Sequence, residues 1–267
     1  MMPELPDVEI FRRYFQATAL HQEIEAVKDI STALLEGISR ENLEKHLVGR
    51  SFRSVHRHGK YLFAKVEAEG WLVLHFGMSG FLQYYKNKEQ AEEHIRLLMA
   101  FCNGFHLGYV STRKLGRITW IADPKRFIAE QELGPDALAE QFDEHAFRSR
   151  LEHRRGSIKG LLMNQQALAG IGNIYSDEIL YQAGIHPRRK AAELQVAEQQ
   201  QLYHCLRTVL QTAIDCHVGE KGWPDDWLLP VRESGQACPR CSGKIQRLKV
   251  AGRNGYFCEN HQSYESS

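Results

Sequence analysis

Two groups of residues in this chain have the types and spacing to do chemistry. The first opens the chain, where Met1 and Met2 precede Pro3-Glu4-Leu5-Pro6-Asp7-Val8-Glu9. With both methionines removed, the chain begins on a secondary amine with a carboxylate beside it. An α-amino group titrates near pH 8, roughly two units below a lysine, so a useful fraction is neutral at about pH 7. A neutral amine is a nucleophile; attack on a sugar C1′ leads on to a charged iminium, and Glu4 is placed to carry protons. The same run also fits a plain extended leader entering a helix. Initiation at Met2 followed by methionine removal frees Pro3, whereas initiation at Met1 leaves its nitrogen amide-linked and inert.

The second group lies near the other end. Cys238-Pro239-Arg240-Cys241 and Cys258-Glu259-Asn260-His261 give C-x2-C, sixteen residues, then C-x2-H. Each knuckle points two ligands at one tetrahedral ion, so Cys238, Cys241, Cys258 and His261 are expected to bind one zinc. Four protein ligands leave no open position, which makes the site structural. So small a module has little apolar core, and the metal supplies much of its folding free energy. The insert from Ile245 to Phe257 is expected to form a β-hairpin with Gly252-Arg253-Asn254-Gly255 at its tip, where Arg253 either reaches a phosphate or a groove or is a solvated turn residue. The other cysteines, Cys102, Cys205 and Cys216, show no such organisation.

Elements must hold these groups in place. A chain of 267 residues is long enough for two domains and a small module. The N-terminus lacks a basic start and an apolar stretch, and no apolar run approaches a membrane span; a cytoplasmic or nucleoid-associated protein is expected. A helix is predicted from Asp7, as N-cap, to about Leu20. Strands are predicted at Tyr61 to Val66, Trp71 to Phe76, Arg96 to Cys102, Phe105 to Val110 and Ile118 to Ala122, with Glu69-Gly70 and Asn103-Gly104 as turns, the latter of type I′. This half is read as a β-sandwich. Leu133-Gly134-Pro135-Asp136 marks a boundary, beyond which Ala137 to about His217 is helical and Trp223 to Trp227 is a turn-rich connection.

Net charge is only +1, but it is segregated. Arg148, Arg150, Arg154, Arg155 and Lys159 form one basic run, and Arg240, Lys244, Arg247, Lys249 and Arg253 another. Either is a solvated face or the footprint of a polyanion. Lys159 precedes Ala169-Gly170-Ile171-Gly172-Asn173, a turn between helices. Free amides at the next helix start, the Asn173 side chain and a nearby lysine together suit an anion; taken alone, the turn is only a helix cap.

Together these pieces resemble the formamidopyrimidine-DNA glycosylase / endonuclease VIII family. The resemblance rests on the Pro-Glu-Leu-Pro start, Arg57-His58-Gly59-Lys60-Tyr61-Leu62, His75-Phe76-Gly77-Met78-Ser79-Gly80, Arg113-Lys114-Leu115-Gly116, Leu133-Gly134-Pro135, the turn before Asn173-Ile174-Tyr175 and the zinc motif. It implies an α+β protein: an N-terminal β-sandwich with an N-terminal helix (1–132), a helical helix–two-turn–helix domain (133–232) and a C-terminal β-hairpin zinc finger (233–267). It implies a monomeric DNA glycosylase with apurinic/apyrimidinic (AP) lyase activity, acting on damaged double-stranded DNA with the lesion flipped out. Pro3 is then the nucleophile and Glu4 the acid/base. Lys60 joins them in the catalytic set; it, Lys159, Asn173 and Arg253 contact phosphates around the lesion, and His75 belongs to the DNA-binding set. Met78, Arg113 and Leu115 fill the hole left by the extruded nucleotide.

Four departures from the family pattern stand out. Asp7 replaces glutamate, Leu115 replaces phenylalanine, His261 replaces a fourth cysteine, and 218–231 is short and lacks a Gly-Gly-Ser/Thr-rich segment. The lesion is left open among 8-oxoguanine, formamidopyrimidines and oxidised pyrimidines. The alternatives to an enzyme of the formamidopyrimidine branch are an endonuclease VIII-type enzyme for oxidised pyrimidines and a damage-binding protein without catalysis.

Overall fold

The first helix, α1 (Leu5–Thr18), starts three residues earlier than a cap at Asp7 implies. Its cap is Glu4, not Asp7; Asp7 sits three residues on and accepts the Glu4 backbone N–H at 2.8 Å. The two form a reciprocal capping box, and Pro6 fits the first turn because a backbone N–H there has no helical partner to lose. Val8, Phe15 and Ala19 are the buried stripe that seats α1. The structure is a computed structural model that describes residues 2–67, 70–152 and 156–262. Glu69 of the expected turn, and Arg154 and Arg155 of the basic run, lie outside the described residues.

Contacts divide the chain into two units, Met1–Glu132 and Leu133–Ser267. In the first, α1 is followed by β1 (Ile24–Lys28), β2 (Leu35–Glu36), α2 (Arg40–Leu47), β3 (Phe52–His58), β4 (Tyr61–Val66), β5 (Gly70–His75) and β6 (Phe81–Tyr85). Then come β7 (Ile95–Phe101), β8 (His106–Val110), β9 (Arg117–Ile121) and α3 (Pro124–Glu130). One sheet has the order β2-β9-β5-β4-β3 and the other β1-β7-β8-β6. All pairings are antiparallel except β2 with β9. Leu62, Ala64, Leu72 and Leu74 of one sheet and Leu97, Met99, Phe101 and Leu107 of the other share one buried cluster with α1, which makes the sandwich. The β7–β8 connection is not the expected two-residue turn. Phe101 N–H donates to Phe105 O at 2.9 Å, and Asn103 turns its side chain to the Phe105 N–H, leaving Gly104 to take the positive φ.

The second unit holds α4 (Glu144–Leu151), α5 (Ile158–Met163), α6 (Asn173–Ala183), α7 (Val196–Asp215) and the hairpin β10 (Ile245–Val250) with β11 (Arg253–Cys258). The hairpin tip is Ala251-Gly252, both at positive φ (47° and 76°) as a two-residue primed turn requires. Arg253 therefore opens β11 opposite Val250 and is not itself in the turn. Among the described residues, no helix is long and apolar enough to cross a membrane.

Candidate functional site

In the first unit, the chemistry gathers at the start of α1 and at the end of β3. Pro3 and Glu4 are both buried, Glu4 completely. Burial pushes the Asp7 carboxyl up to about 6, and the Glu4 charge adds to the shift although the Glu4 N–H opposes it. A carboxylate that takes up a proton near pH 6, well above the usual range, therefore lies one helical turn from Pro3. Lys60 occupies the β3–β4 turn and is buried, with 8% of its surface exposed. Arg57 ties that turn to α1: its Nε reaches Glu9 Oε2 at 3.4 Å and its Nη1 donates to Gly59 O at 3.2 Å. In the sequence Arg57 stands only within the 57–62 motif; its tie depends on the long-range packing of α1 on β3.

His75 ends β5 beside Tyr61, ring centroids 4.8 Å apart. Burial, then the charges of Lys60 and Arg117, pull its pKa down to about 4, so the ring is neutral at physiological pH. Its Nδ1 accepts the Gly77 N–H at 3.3 Å, which assigns the ring proton to Nε2. His75 is thus a neutral donor, not a cation for a phosphate.

Met78, Arg113 and Leu115 come together on two adjoining loops. Arg113 Nη1 lies 3.8 Å from Met78 Sδ, and Ser79 Oγ is 2.9 Å from Thr112 Oγ1. Gly77 makes this approach possible: at φ 61° it has the backbone of Leu115 where a Cβ would stand. Met78 is 37% and Leu115 52% exposed, two of only four large apolar side chains so exposed among the described residues. Apolar tips on a glycine-locked loop pair suit insertion into a stack of bases.

In the second unit, Gln165 organises the glycine turn, a role its sequence context did not signal. Its Nε2 donates to Met163 O at 2.9 Å and Ile171 O at 2.7 Å, while its Oε1 accepts the Gly170 N–H at 3.0 Å. Asn173 then opens α6, and its Nδ2 donates to Asn254 O at 2.9 Å. The structure so brings Asn173 beside Arg253, which is exposed. The other four cations of the C-terminal run, Arg240, Lys244, Arg247 and Lys249, are exposed too.

Lys159 does not fit the role expected of it. The side chain is fully buried, and its Nζ bonds Asp177 Oδ1 at 2.6 Å, Ser176 Oγ at 2.8 Å and Asn173 O at 3.1 Å. A cation spent on a buried carboxylate and a helix start cannot also meet a phosphate; Lys159 shapes the turn from behind. Lys159→Ala should lower stability by about 3 kcal/mol, because it strips a buried carboxylate of one partner. The salt slope of DNA binding should stay unchanged, whereas Arg253→Ala should lower it by about 0.9. Thermal melts and salt titrations check both; a flattened slope for Lys159→Ala would restore it as a phosphate contact.

The metal ligands meet as expected. The ligand atoms of Cys238, Cys241, Cys258 and His261 all lie within 4.8 Å of one another. Cys241 Sγ is 3.5 Å from Cys258 Sγ and 3.8 Å from His261 Nδ1, and Cys238 Sγ is 3.7 Å from the same Nδ1. A tetrahedral zinc with Zn–S near 2.3 Å sets such edges at about 3.8 Å, so the donors fit one structural zinc. Tyr181 OH lies 3.1 Å from Cys238 Sγ, an outer partner for that ligand.

Known proteins resemble this chain over nearly its full length. Residues 2–118 match the formamidopyrimidine-DNA glycosylase N-terminal domain, 133–222 the formamidopyrimidine-DNA glycosylase H2TH domain, and 235–260 a zinc finger found in FPG and IleRS. A formamidopyrimidine-DNA glycosylase of Nitrosococcus oceani is 34% identical over 98% of this chain and 100% of its own length. One of Geobacter metallireducens is 35% identical with the same coverage. Among solved structures, a MutM in complex with carbocyclic 8-oxo-G containing DNA superposes with TM-score 0.88 at 31% identity, covering 98% of this chain and 100% of that one. A Lactococcus lactis Fpg in complex with abasic-site DNA gives TM-score 0.87 at 30% identity, again covering 98% and 100%. With three successive domain matches and relatives of this identity over nearly its full length, this chain belongs to the formamidopyrimidine-DNA glycosylase family.

Proposed function

We propose that the chain excises oxidised bases from duplex DNA and then nicks the abasic strand, as a bifunctional glycosylase and AP lyase of base-excision repair. The observation that carries this is Pro3 next to the buried Glu4 at the capped start of α1. Pro3 nitrogen attacks C1′ of the flipped nucleotide, and the bond from C1′ to the base breaks with the base leaving as it gains a proton. Glu4 protonates the sugar ring oxygen as the ring opens, giving a C1′ iminium on Pro3. That cation acidifies C2′–H, and loss of this proton expels the 3′ phosphate; a second elimination expels the 5′ phosphate. Lys60 lies in the turn that Arg57 ties to α1, where it serves a phosphate flanking the lesion.

Asn173 and Arg253 hold further phosphates and carry no sequence information, which suits a search for rare lesions. His75 donates from its neutral ring. The domain division we assign is 1–132, 133–232 and 233–267, with the zinc finger resting on α6 through Tyr181, Leu228, Ile245 and the ligand cysteines. The protein acts as a monomer on chromosomal DNA in the cytoplasm. Structure neighbours are described with Fapy-dG, 8-oxo-G and abasic DNA, which supports the formamidopyrimidine branch. Excision of formamidopyrimidine, 8-oxoguanine and thymine-glycol duplexes, compared side by side, tests the branch: preference for thymine glycol overturns it.

Met78, Arg113 and Leu115 lower the cost of base flipping, which is a few kcal/mol. Leu115→Ala or Met78→Ala should lower kcat/KM on a paired lesion about tenfold, equivalent to roughly 1.4 kcal/mol. The same lesion in a single strand should lose little. Equal losses on both substrates would remove the two residues from the wedge.

A further inference from the structure

One face of α6 carries three residues spaced four apart, Asn173, Asp177 and Tyr181; the outer two touch the zinc module and the middle one bonds Arg232 in the segment leading into it. Tyr181 meets the metal end through Cys238. Asn173 meets the tip end through Asn254. Between them Asp177, buried, accepts Lys159 on Oδ1 and takes Arg232 on Oδ2, with Arg232 Nε at 2.9 Å and Nη2 at 2.6 Å. Arg232 precedes the first zinc knuckle, and its guanidinium lies over the Tyr256 ring of β11, 4.6 Å from the centroid. Gly255 completes the seat: a Cβ there would stand 3.0 Å from Asp177 Oδ1 and 3.0 Å from Lys159 Cε. Residues 254, 255 and 256 are therefore each fixed against α6 or the ion cluster, and Arg253 is the next residue along the strand.

We infer that the Asp177–Arg232 pair is a positioning device that sets the register of the zinc hairpin on α6, so that Arg253 and Asn173 act on neighbouring phosphates. The inference rests on the function proposed above. Zinc fixes the knuckles relative to each other, but the orientation of the hairpin tip on α6 needs a directional contact. A guanidinium fork on a carboxylate supplies one, more firmly than a lysine would and where an apolar contact cannot. Neither residue needs to touch DNA.

A double-substitution cycle tests this with full-length protein and a duplex carrying a stable abasic analogue. Arg232→Ala should weaken binding about tenfold and lower the salt slope by about 0.9, as Arg253→Ala does. In the Arg232→Ala background, Arg253→Ala should cost less than about twofold, because the two act through one contact. At saturating DNA kcat should hold while KM rises about tenfold, zinc content should be unchanged, and Arg232→Lys should recover part of the affinity. Tyr256→Leu, which removes the ring under the guanidinium and leaves the ion pair, should move affinity in the same direction and serves if Arg232→Ala does not fold. Effects of Arg232→Ala and Arg253→Ala that multiply, or unchanged binding by Arg232→Ala or Tyr256→Leu, would overturn the inference. Borohydride trapping of the wild type on abasic DNA keeps the two levels apart: no trapping contradicts the enzyme, whereas trapping with multiplying effects contradicts only the register.

Discussion

Pro3→Gly or Glu4→Gln is expected to abolish base excision while binding to lesion duplexes persists. Glycine offers a primary amine, whose imine is neutral unless it finds a further proton, so the electron sink for elimination is weakened. Glu4→Gln keeps the size of a fully buried side chain but removes its proton. General acid–base catalysis contributes about 10² to 10⁴ in rate, and a loss in that range is the expected result. A protein that retains methionine ahead of Pro3 should be as inactive as either variant, since an amide nitrogen forms no iminium. Single-turnover excision with gel-shift binding checks all three; full excision by Glu4→Gln would displace Glu4 as the proton carrier.

Removing zinc should produce the next largest effect. Structural zinc contributes about 10–16 kcal/mol of apparent binding free energy in small modules, and the hairpin here has few buried residues of its own. Cys241→Ser, or chelation, should release the hairpin and with it Arg253 and the Asn254 partner of Asn173. Lesion-duplex binding should fall at least about 100-fold, and the salt slope should drop by about 0.9 for each hairpin cation that leaves a phosphate. The sandwich core of the first unit is built without any of these residues, so its thermal transition should remain. Zinc-free protein that binds DNA with the wild-type slope would contradict this role of the finger.

The chemistry was largely legible in the sequence because it is local. The zinc ligands lie in two short knuckles, and Pro3 and Glu4 are neighbours. The strands at 61–66 and 96–110 announced themselves as apolar runs. What escaped was decided by distant partners. Lys159 stands in a run of arginines and looks like surface charge, yet Asp177 lies 18 residues on and Arg232 a further 55 from Asp177. Counting local charge cannot see such a triad. Strands β1 and β3 give no alternation to read, because each buries residues three apart, Ile24 and Val27 in one and Phe52 and Val55 in the other, next to an irregularity in its pairing. The helix start was misplaced because Asp7 is the better isolated cap, while Glu4 caps only in partnership with it. Gln165 gave no signal at all; its value lies in an amide that bridges the two sides of a turn.

One nitrogen, that of Pro3, must form the covalent bond to DNA. Borohydride trapping on an abasic duplex, followed by mass analysis of the cross-linked peptide, reads this directly. The expected result is one adduct, on the nitrogen of Pro3 in a chain that begins at that residue. An adduct on Lys60 or another lysine, or excision by a chain still carrying Met2, would contradict it.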